Sequence, residues 1–308
     1  MWSAISLWAF NLAALLVYAV LAYRDVAAGG SVVSWIAGVP LLYFGAILFL
    51  CGAYFVIAWV WRARRPPNVR IGWRRTLRLL WREYATLAGA PIRMMLYAQL
   101  MRDPAPAPVQ IPVLLVHGVL CNAGVWARVA RFLRDKQVAG VYSFSYGPPL
   151  ASIELFAEQL ARKIDEVLAA TGARRVVVIA HSMGGLVVRA YLRRSGSARL
   201  ARVVSIGAPH HGSMHAWFFP GESLAQLRPG NAWLAALNAE PLDPSLRFLS
   251  LWSWHDSMVA PQTSSELPGA IDVSMIGIGH NALLGDGEVF ERAHAEIVAA
   301  RTEARRVG

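Results

Sequence analysis

A short run of β-branched residues that ends at a serine between small residues constrains the fold of this 308-residue chain most strongly. Residues 176–180 are apolar enough for a buried strand, and residues 183–195 carry an apolar helical pattern. Ala180 and Gly184 stand two positions before and after Ser182. Small residues there let the backbone pass close to neighbouring elements, so we predict a strand, a tight turn at Ser182 and a helix. The alternative is a buried strand followed by an ordinary glycine-rich loop.

Apolar runs of strand length alternate with amphipathic helical patterns from residue 111 onward. Because nearly continuous Val, Ile and Leu strands separated by helices are typical of parallel sheets buried on both faces, we predict an α/β fold with a mostly parallel sheet. Functional groups in such sheets gather at the carboxyl ends of the strands. The predicted strands are 113–116, 141–145, 176–180, 203–206, 248–252 and 272–278, and the predicted helices are 124–136, 151–170, 183–195 and 286–302.

Two long stretches near the start of the chain carry no formal charge. They cover residues 2–23 and 31–61. Each is longer than the ~20 residues that a helix needs to cross a bilayer, so we predict a transmembrane hairpin over 1–62. A cleaved signal peptide is the alternative for the first stretch, but it would need a basic segment ahead of its apolar core, and residues 1–11 contain no Lys or Arg.

Basic residues are concentrated directly after the second uncharged stretch. Residues 62–102 contain ten Arg and one acidic residue, Glu83, which is a net charge of +9 within a chain total of +11. The loop between the two stretches has only one Arg and one Asp, so the positive-inside bias places the rest of the chain on the cytoplasmic side of a bacterial inner membrane. The remainder is close to neutral, which argues against a nucleic-acid-binding surface.

Residues 63–110 form the predicted connection between the hairpin and a main domain over 111–308. Apolar side chains such as Leu77 and Trp81 recur at helical spacing over 73–101, among the arginines. This pattern predicts an amphipathic helix on an anionic membrane surface, a connector helix packed on the main domain, or a helix that is both. A Pro-Ala sequence then ends the helix and forms a short linker.

Three polar residues that follow predicted strands have the chemistry of a nucleophilic site. A serine hydroxyl is a poor nucleophile unless a base takes its proton, and a histidine base works best when a carboxylate fixes its tautomer. Ser182, Asp256 and His280 occur in the chain order that suits a nucleophile, its acid and its base in a sheet of this class. We therefore predict that these three residues form a catalytic triad.

The motifs around these residues resemble those of bacterial lipases and esterases of the α/β-hydrolase superfamily. The Ala-His-Ser-Met-Gly turn is similar to that of the small Bacillus-type lipases, and the likeness covers about residues 110–300. The resemblance implies an α/β-hydrolase fold and a carboxylic ester hydrolase that acts through an acyl-enzyme. No cofactor is implied, and no metal is expected because no carboxylate cluster adjoins His280. The stretches that carry the likeness are 112–118, 180–185, 206–213, 256–261 and 277–280.

The resemblance also implies an oxyanion hole and a lid. Backbone N–H groups of Val119 and Met183 would form the oxyanion hole. An apolar insertion over 212–244 predicts a helical lid above a greasy substrate, and a packed cap that only completes the core is the alternative. The candidate substrate contacts in the insertion are Trp217, Phe218, Phe219, Trp233 and Leu234.

Together these features predict a membrane-anchored serine hydrolase that cleaves esters of lipid-like acyl groups. Its predicted partners are an acyl ester and the membrane, and no oligomeric state is indicated. A thioesterase, a phospholipase or an acyltransferase would use the same triad. A non-catalytic membrane scaffold or transport-associated protein is the alternative of a different class, and the intact Ser182 and His280 argue against it.

Overall fold

The computed structural model describes residues 2–307, with side chains over 5–306. Met1 and Gly308, the outer ends of the first and last predicted domains, lie outside the described residues.

The chain begins with two long apolar helices, α1 (Trp2–Ala27) and α2 (Val32–Val60). The turn between them includes Gly29, whose φ of 97° is left-handed and suits a residue without a Cβ. Both helices are long and apolar enough to be candidate membrane spans, with mean hydropathies of 2.1 and 2.3. Their positions agree with the hairpin that the sequence predicts.

The basic segment forms a long helix that packs on the rest of the protein. Helix α3 (Trp73–Met95) is followed by the short helix α4 (Tyr97–Leu100), so the helical region predicted over 73–101 is broken near Leu96. One face of α3 is buried, whereas Trp73 and Trp81 on the other are exposed. The structure therefore shows the connector helix, with its aromatic and basic face left outside.

Six strands form one sheet in the order β2-β1-β3-β4-β5-β6, and every strand pair that the structure describes is parallel. This arrangement confirms the predicted α/β fold. The last strand is shorter than predicted because the chain turns at Gly277, whose φ of 76° does not fit a strand. The strands are β1 (Val113–Val116), β2 (Val141–Phe144), β3 (Val176–His181), β4 (Leu200–Ile206), β5 (Arg247–Ser253) and β6 (Ile271–Met275).

Helices cover both faces of the sheet, and the strand side chains alternate between two apolar cores. Leu114 and Val116 of β1 point into one core, and Val113 and Leu115 point into the other. The second core also includes Met94 of α3, so the connector helix contributes to the interior of the main domain. The helices of this domain are α5 (Ala127–Asp135), α6 (Ile153–Thr171), α7 (Met183–Ser195), α8 (Glu222–Gln226), α9 (Ala232–Ala239) and α10 (Gly287–Val307).

Candidate active site

Ser182 sits on a tight turn between β3 and α7, as predicted. Its φ of 55° and ψ of −130° are strained for a residue with a side chain. The turn is fixed because the Ser182 N–H donates to the carbonyl of Ile206 at 2.9 Å. A Cβ at Gly184 would lie 2.6 Å from the carbonyl oxygen of His117, so this position requires glycine. The strain therefore has a structural cause, the close packing of this turn against the loop after β1.

Asp256 and His280 meet at the carboxyl ends of β5 and β6. His280 Nδ1 lies 2.9 Å from Asp256 Oδ2, and both side chains are buried. The other Asp256 oxygen accepts hydrogen bonds from the N–H groups of Met258 and Val259, each at 2.7 Å. The carboxyl group is thus held from both sides and orients the imidazole ring.

The pKa of His280 is raised above its ordinary value of 6.5. Burial alone would lower this pKa, because a charged imidazolium loses its hydration. The charge of Asp256 and its hydrogen bond outweigh burial, with a smaller contribution from the charge of Glu83. His280 can therefore take up a proton and keep it within a buried site, which is what a general base requires.

Ser182 and His280 line one cavity, which also includes Gly118 and Val119. In the described part of the chain, no hydrogen bond joins the Ser182 hydroxyl to the His280 ring. Such contacts are often long in unliganded hydrolases and tighten around the substrate. A Cβ at Gly118 would lie 2.9 Å from that of Ser182, so the chain before Val119 runs against the serine. Val119, in the loop after β1, and Met183, the first residue of α7, thus flank the serine.

The cavity has a wall that the sequence did not predict. Its volume is about 280 Å³, and one side of it consists of residues from the three N-terminal helices. The family likeness does not include these helices, and a uniformly apolar stretch such as α2 gives no sign of which face packs on a protein. The residues of this wall are Leu7 of α1, Ile47, Leu50 and Tyr54 of α2, and Leu87, Ala90, Pro91 and Met94 of α3.

Six residues of the insertion over 212–244 line the cavity, but only one of them, Phe219, is among the predicted substrate contacts. Phe219 lines the cavity, whereas Trp217 and Phe218 are each 54% exposed and lie outside its lining. Trp233 and Leu234 also lie elsewhere: Leu234 is buried in the core, and Trp233 Nε1 donates to Glu154 Oε1 of α6 at 2.8 Å. Helix α9 is therefore a packed cap, because it presents its apolar side chains to α6 and α7 and not to the serine.

Several histidines near the serine have structural surroundings. His117 stacks on Tyr146 with ring centroids 3.9 Å apart, and burial lowers its pKa to about 4. Burial, followed by the charge of His280, lowers the pKa of His181. His210 lies 3.1 Å from the Ser205 hydroxyl, and burial likewise lowers its pKa. Burial thus favours the neutral form of these three rings, whereas the pKa of His280 is raised.

A buried carboxyl group from α3 supports the segment that carries His280. Glu83 is fully buried, and its Oε1 accepts hydrogen bonds from the Ser257 hydroxyl at 2.6 Å and from the Asn281 N–H at 3.0 Å. The Asn281 side-chain amide also donates to Oε1, and the Ala282 N–H donates to Oε2, each at 2.9 Å. Ser257 in turn accepts from the His280 N–H at 3.3 Å. The backbone on both sides of the imidazole is thus tied to α3.

The sequence contains two signs of this contact that composition alone does not reveal. Glu83 is the one acidic residue among ten arginines, and Gly279 directly precedes His280. A Cβ at Gly279 would lie 2.5 Å from Glu83 Oε2, so the glycine permits the close approach of the carboxyl group. Nothing local to α3 identifies a partner about 200 residues away, so the sequence alone does not assign Glu83 this role.

We expect Asp256→Asn to lower the pKa of His280, because the negative charge that raises it is removed while burial remains. Titration of the His280 imidazole by NMR should give a midpoint above 6.5 in the parent protein and a lower one in the variant. Charge on the ring is present below the midpoint and lost as the pH rises through it. A parent midpoint at or below 6.5, or one that Asp256→Asn leaves in place, would contradict this electrostatic account.

Replacing Glu83 by Gln should weaken the attachment of the His280 segment. The amide presents a donor where every partner is also a donor, and an unpaired buried polar group costs about 1–3 kcal/mol in the free energy of unfolding. Hydrogen exchange should become faster at the Asn281 and Ala282 amides. Glu288→Gln is the matched control, because Glu288 lies on the exposed surface of α10. Equal exchange in both variants would show that Glu83 does not hold this segment.

Comparison with known proteins supports the assignment of the main domain. A family profile described as alpha/beta hydrolase fold matches residues 111–281, more than half of the chain. Over 121 residues the chain is 36% identical to a triacylglycerol lipase of Pseudarthrobacter phenanthrenivorans, a region that is 36% of this chain and 37% of that lipase. The match thus spans little more than a third of the length of that relative.

Two solved structures show the same fold. The mature lipase BlEst2 of Bacillus licheniformis has a TM-score of 0.54 at 18% identity, over 63% of this chain and 95% of that one. Lipase B of Aspergillus fumigatus has a TM-score of 0.56 at 15% identity, over 80% of this chain and 79% of that one. At these identities the likeness concerns the fold.

Proposed function

Because the chain belongs to the α/β-hydrolase fold family, we propose that it is a serine hydrolase that cleaves carboxylic esters of lipid-like acyl groups. One observation carries the proposal. Ser182, on a strained turn, lines the same apolar cavity as His280, which is hydrogen-bonded to the buried Asp256. The partial match to a triacylglycerol lipase agrees with an acyl ester as substrate. The same residues would serve a thioesterase or an acyltransferase, which the choice of substrate in the assay distinguishes.

In the proposed mechanism, Ser182 attacks the ester carbonyl carbon while His280 takes the hydroxyl proton. Asp256 holds the Nδ1–H of the ring and stabilises the imidazolium that forms. The N–H groups of Val119 and Met183 donate to the oxyanion. His280 then gives the proton to the leaving alcohol, which leaves an acyl-serine. Water then attacks the carbonyl carbon of the acyl-serine while the same imidazole takes its proton. The imidazole returns this proton to the Ser182 oxygen as the acid leaves.

We further propose that α1 and α2 anchor the protein in the bacterial cytoplasmic membrane with the main domain on the cytoplasmic side. The exposed face of α3 supports this orientation, because its tryptophans and arginines suit the interface of an anionic leaflet. Arg74 lies over the Trp73 ring at 5.3 Å, and both residues stand at the start of α3. An aromatic and basic helix start of this kind fits the headgroup region.

We expect a fluorophosphonate probe to label the parent protein and not Ser182→Ala, because the phosphonyl group bonds to an activated serine oxygen. The purified full-length chain is incubated with the probe, and the labelled peptide is identified by mass spectrometry. Ser213→Ala is the matched control, since Ser213 lines the same cavity but follows no strained turn. A folded parent protein that takes no label would rule out the proposed activity.

The topology should be visible with two reporters fused to the C-terminal end. Alkaline phosphatase folds only in the periplasm and should stay inactive, whereas green fluorescent protein should fluoresce in the cytoplasm. Replacing the arginines at 62, 64 and 65 by neutral residues should weaken this orientation, because the charge bias after α2 is reduced. An active phosphatase fusion of the parent chain would contradict the cytoplasmic assignment.

A further inference from the structure

We propose that α2 and α3 form the acyl-binding wall of the active site, so that the substrate is a neutral long-chain ester taken directly from the bilayer. This inference rests on the proposed hydrolase function and specifies its substrate. In this arrangement the N-terminal helices are part of the substrate site in addition to being an anchor.

The wall is continuous with the reacting groups. Leu50 and Tyr54 of α2 and Leu87 of α3 line the same cavity as Ser182 and His280. An acyl chain whose carbonyl carbon is next to the serine therefore has apolar side chains of both helices within the same enclosed space. Contact with such side chains is the interaction that distinguishes a long acyl group from a short one.

The wall is held in place by hydrogen bonds between the helices and by others to the main domain. His215 Nε2 lies 3.1 Å from the carbonyl oxygen of Tyr54, and the Tyr43 hydroxyl donates to the carbonyl of Ala88 at 2.6 Å. Directly after α2, the Ala63 N–H donates to Gln262 Oε1 at 3.0 Å. These contacts hold α2 against the main domain both at Tyr54 and directly after the helix, so its lining residues keep their position relative to the serine.

The opposite face of the same helix is apolar and exposed. Leu48, Phe49 and Val56 lie beside the lining residues in the sequence of α2, and they are 62%, 80% and 61% exposed. On α3, Ile92 is 55% exposed next to the lining residue Pro91. Such a surface is stable against lipid tails and costly against water. One helix diameter, about 10 Å, therefore separates the lipid phase from the cavity.

The composition of the lining favours an uncharged substrate. Among the described residues that line the cavity, there is no Lys, Arg, Asp or Glu. Apart from Tyr54 of α2, whose side chain carries a hydroxyl group, the polar side chains, including Ser182 and His280, belong to the main domain, whereas α3 contributes only apolar ones. An ester with a charged group near its carbonyl would lose hydration without gaining a partner. A neutral acyl lipid matches both the polar and the apolar part of the lining.

A photoreactive suicide substrate tests this assignment in the full-length protein. The probe is a fluorophosphonate with a hexadecyl chain that carries a diazirine near its far end, and the protein is reconstituted in phospholipid nanodiscs. After Ser182 has reacted, illumination should crosslink the chain to peptides that contain residues 47–54 or 87–94. Labelling at Ser182 with crosslinks only to 212–244, or only to water, would overturn the acyl wall and leave the hydrolase function standing. No labelling of the folded protein would overturn the hydrolase function and this inference with it.

Two tryptophan substitutions on α2 give an independent kinetic test. Leu50→Trp fills the cavity from the wall, and we expect the ratio of kcat/KM for p-nitrophenyl palmitate to that for p-nitrophenyl acetate to fall by about tenfold or more. Leu48→Trp is the matched control, since Leu48 is on the exposed face of the same helix. It should leave both substrates unaffected. Equal losses for the two esters in Leu50→Trp, or no loss for either, would contradict a wall that holds the acyl chain.

Discussion

The hydrogen bonds of Glu83 join two parts of the chain that the sequence presents as separate. Its carboxyl group is fully buried behind His280 and accepts from Ser257, Asn281 and Ala282. A buried carboxyl group is stable only when its oxygens are satisfied, so α3 and the His280 segment must keep their relative position. Since α3 also packs on α2, the same contact fixes the distance between the hairpin and the serine. The cavity wall and the His280 segment therefore share this contact.

The sequence predicted the fold of the main domain and the positions of Ser182, Asp256 and His280 after strands because these signals are local. A β-branched run, a serine between Ala180 and Gly184, and polar residues after successive strands are each visible within a few positions. The family likeness strengthened these signals for the same region. Contacts of Glu83 and Tyr54 were not predictable, since each joins residues more than 100 positions apart and depends on which face of a helix packs inward. Which residues of the insertion line the cavity was not predictable for the same reason: an apolar helix such as α9 can face a substrate or a core.

The proposed chemistry benefits from the enclosure that the helices provide. Among the described lining residues there is no Lys, Arg, Asp or Glu, so hydrogen bonds to a developing oxyanion act in a medium of lower dielectric than water, where losing one donor typically costs about 10²–10³ in rate. Asp256 and His280 are both buried, so the negative charge of Asp256 lies next to any positive charge that forms on the imidazole. An acyl chain between α2 and α3 would complete the exclusion of water. Anchoring, substrate choice and catalysis are then consequences of the same packing.

The most direct test of this account is an experimental structure of the full-length protein in nanodiscs after reaction with a long-chain alkyl phosphonate. The account predicts density for the phosphonate on Ser182 and for its alkyl chain along Leu50, Tyr54 and Leu87. A chain that runs instead past α9 or into solvent, with α2 detached from the main domain, would contradict it.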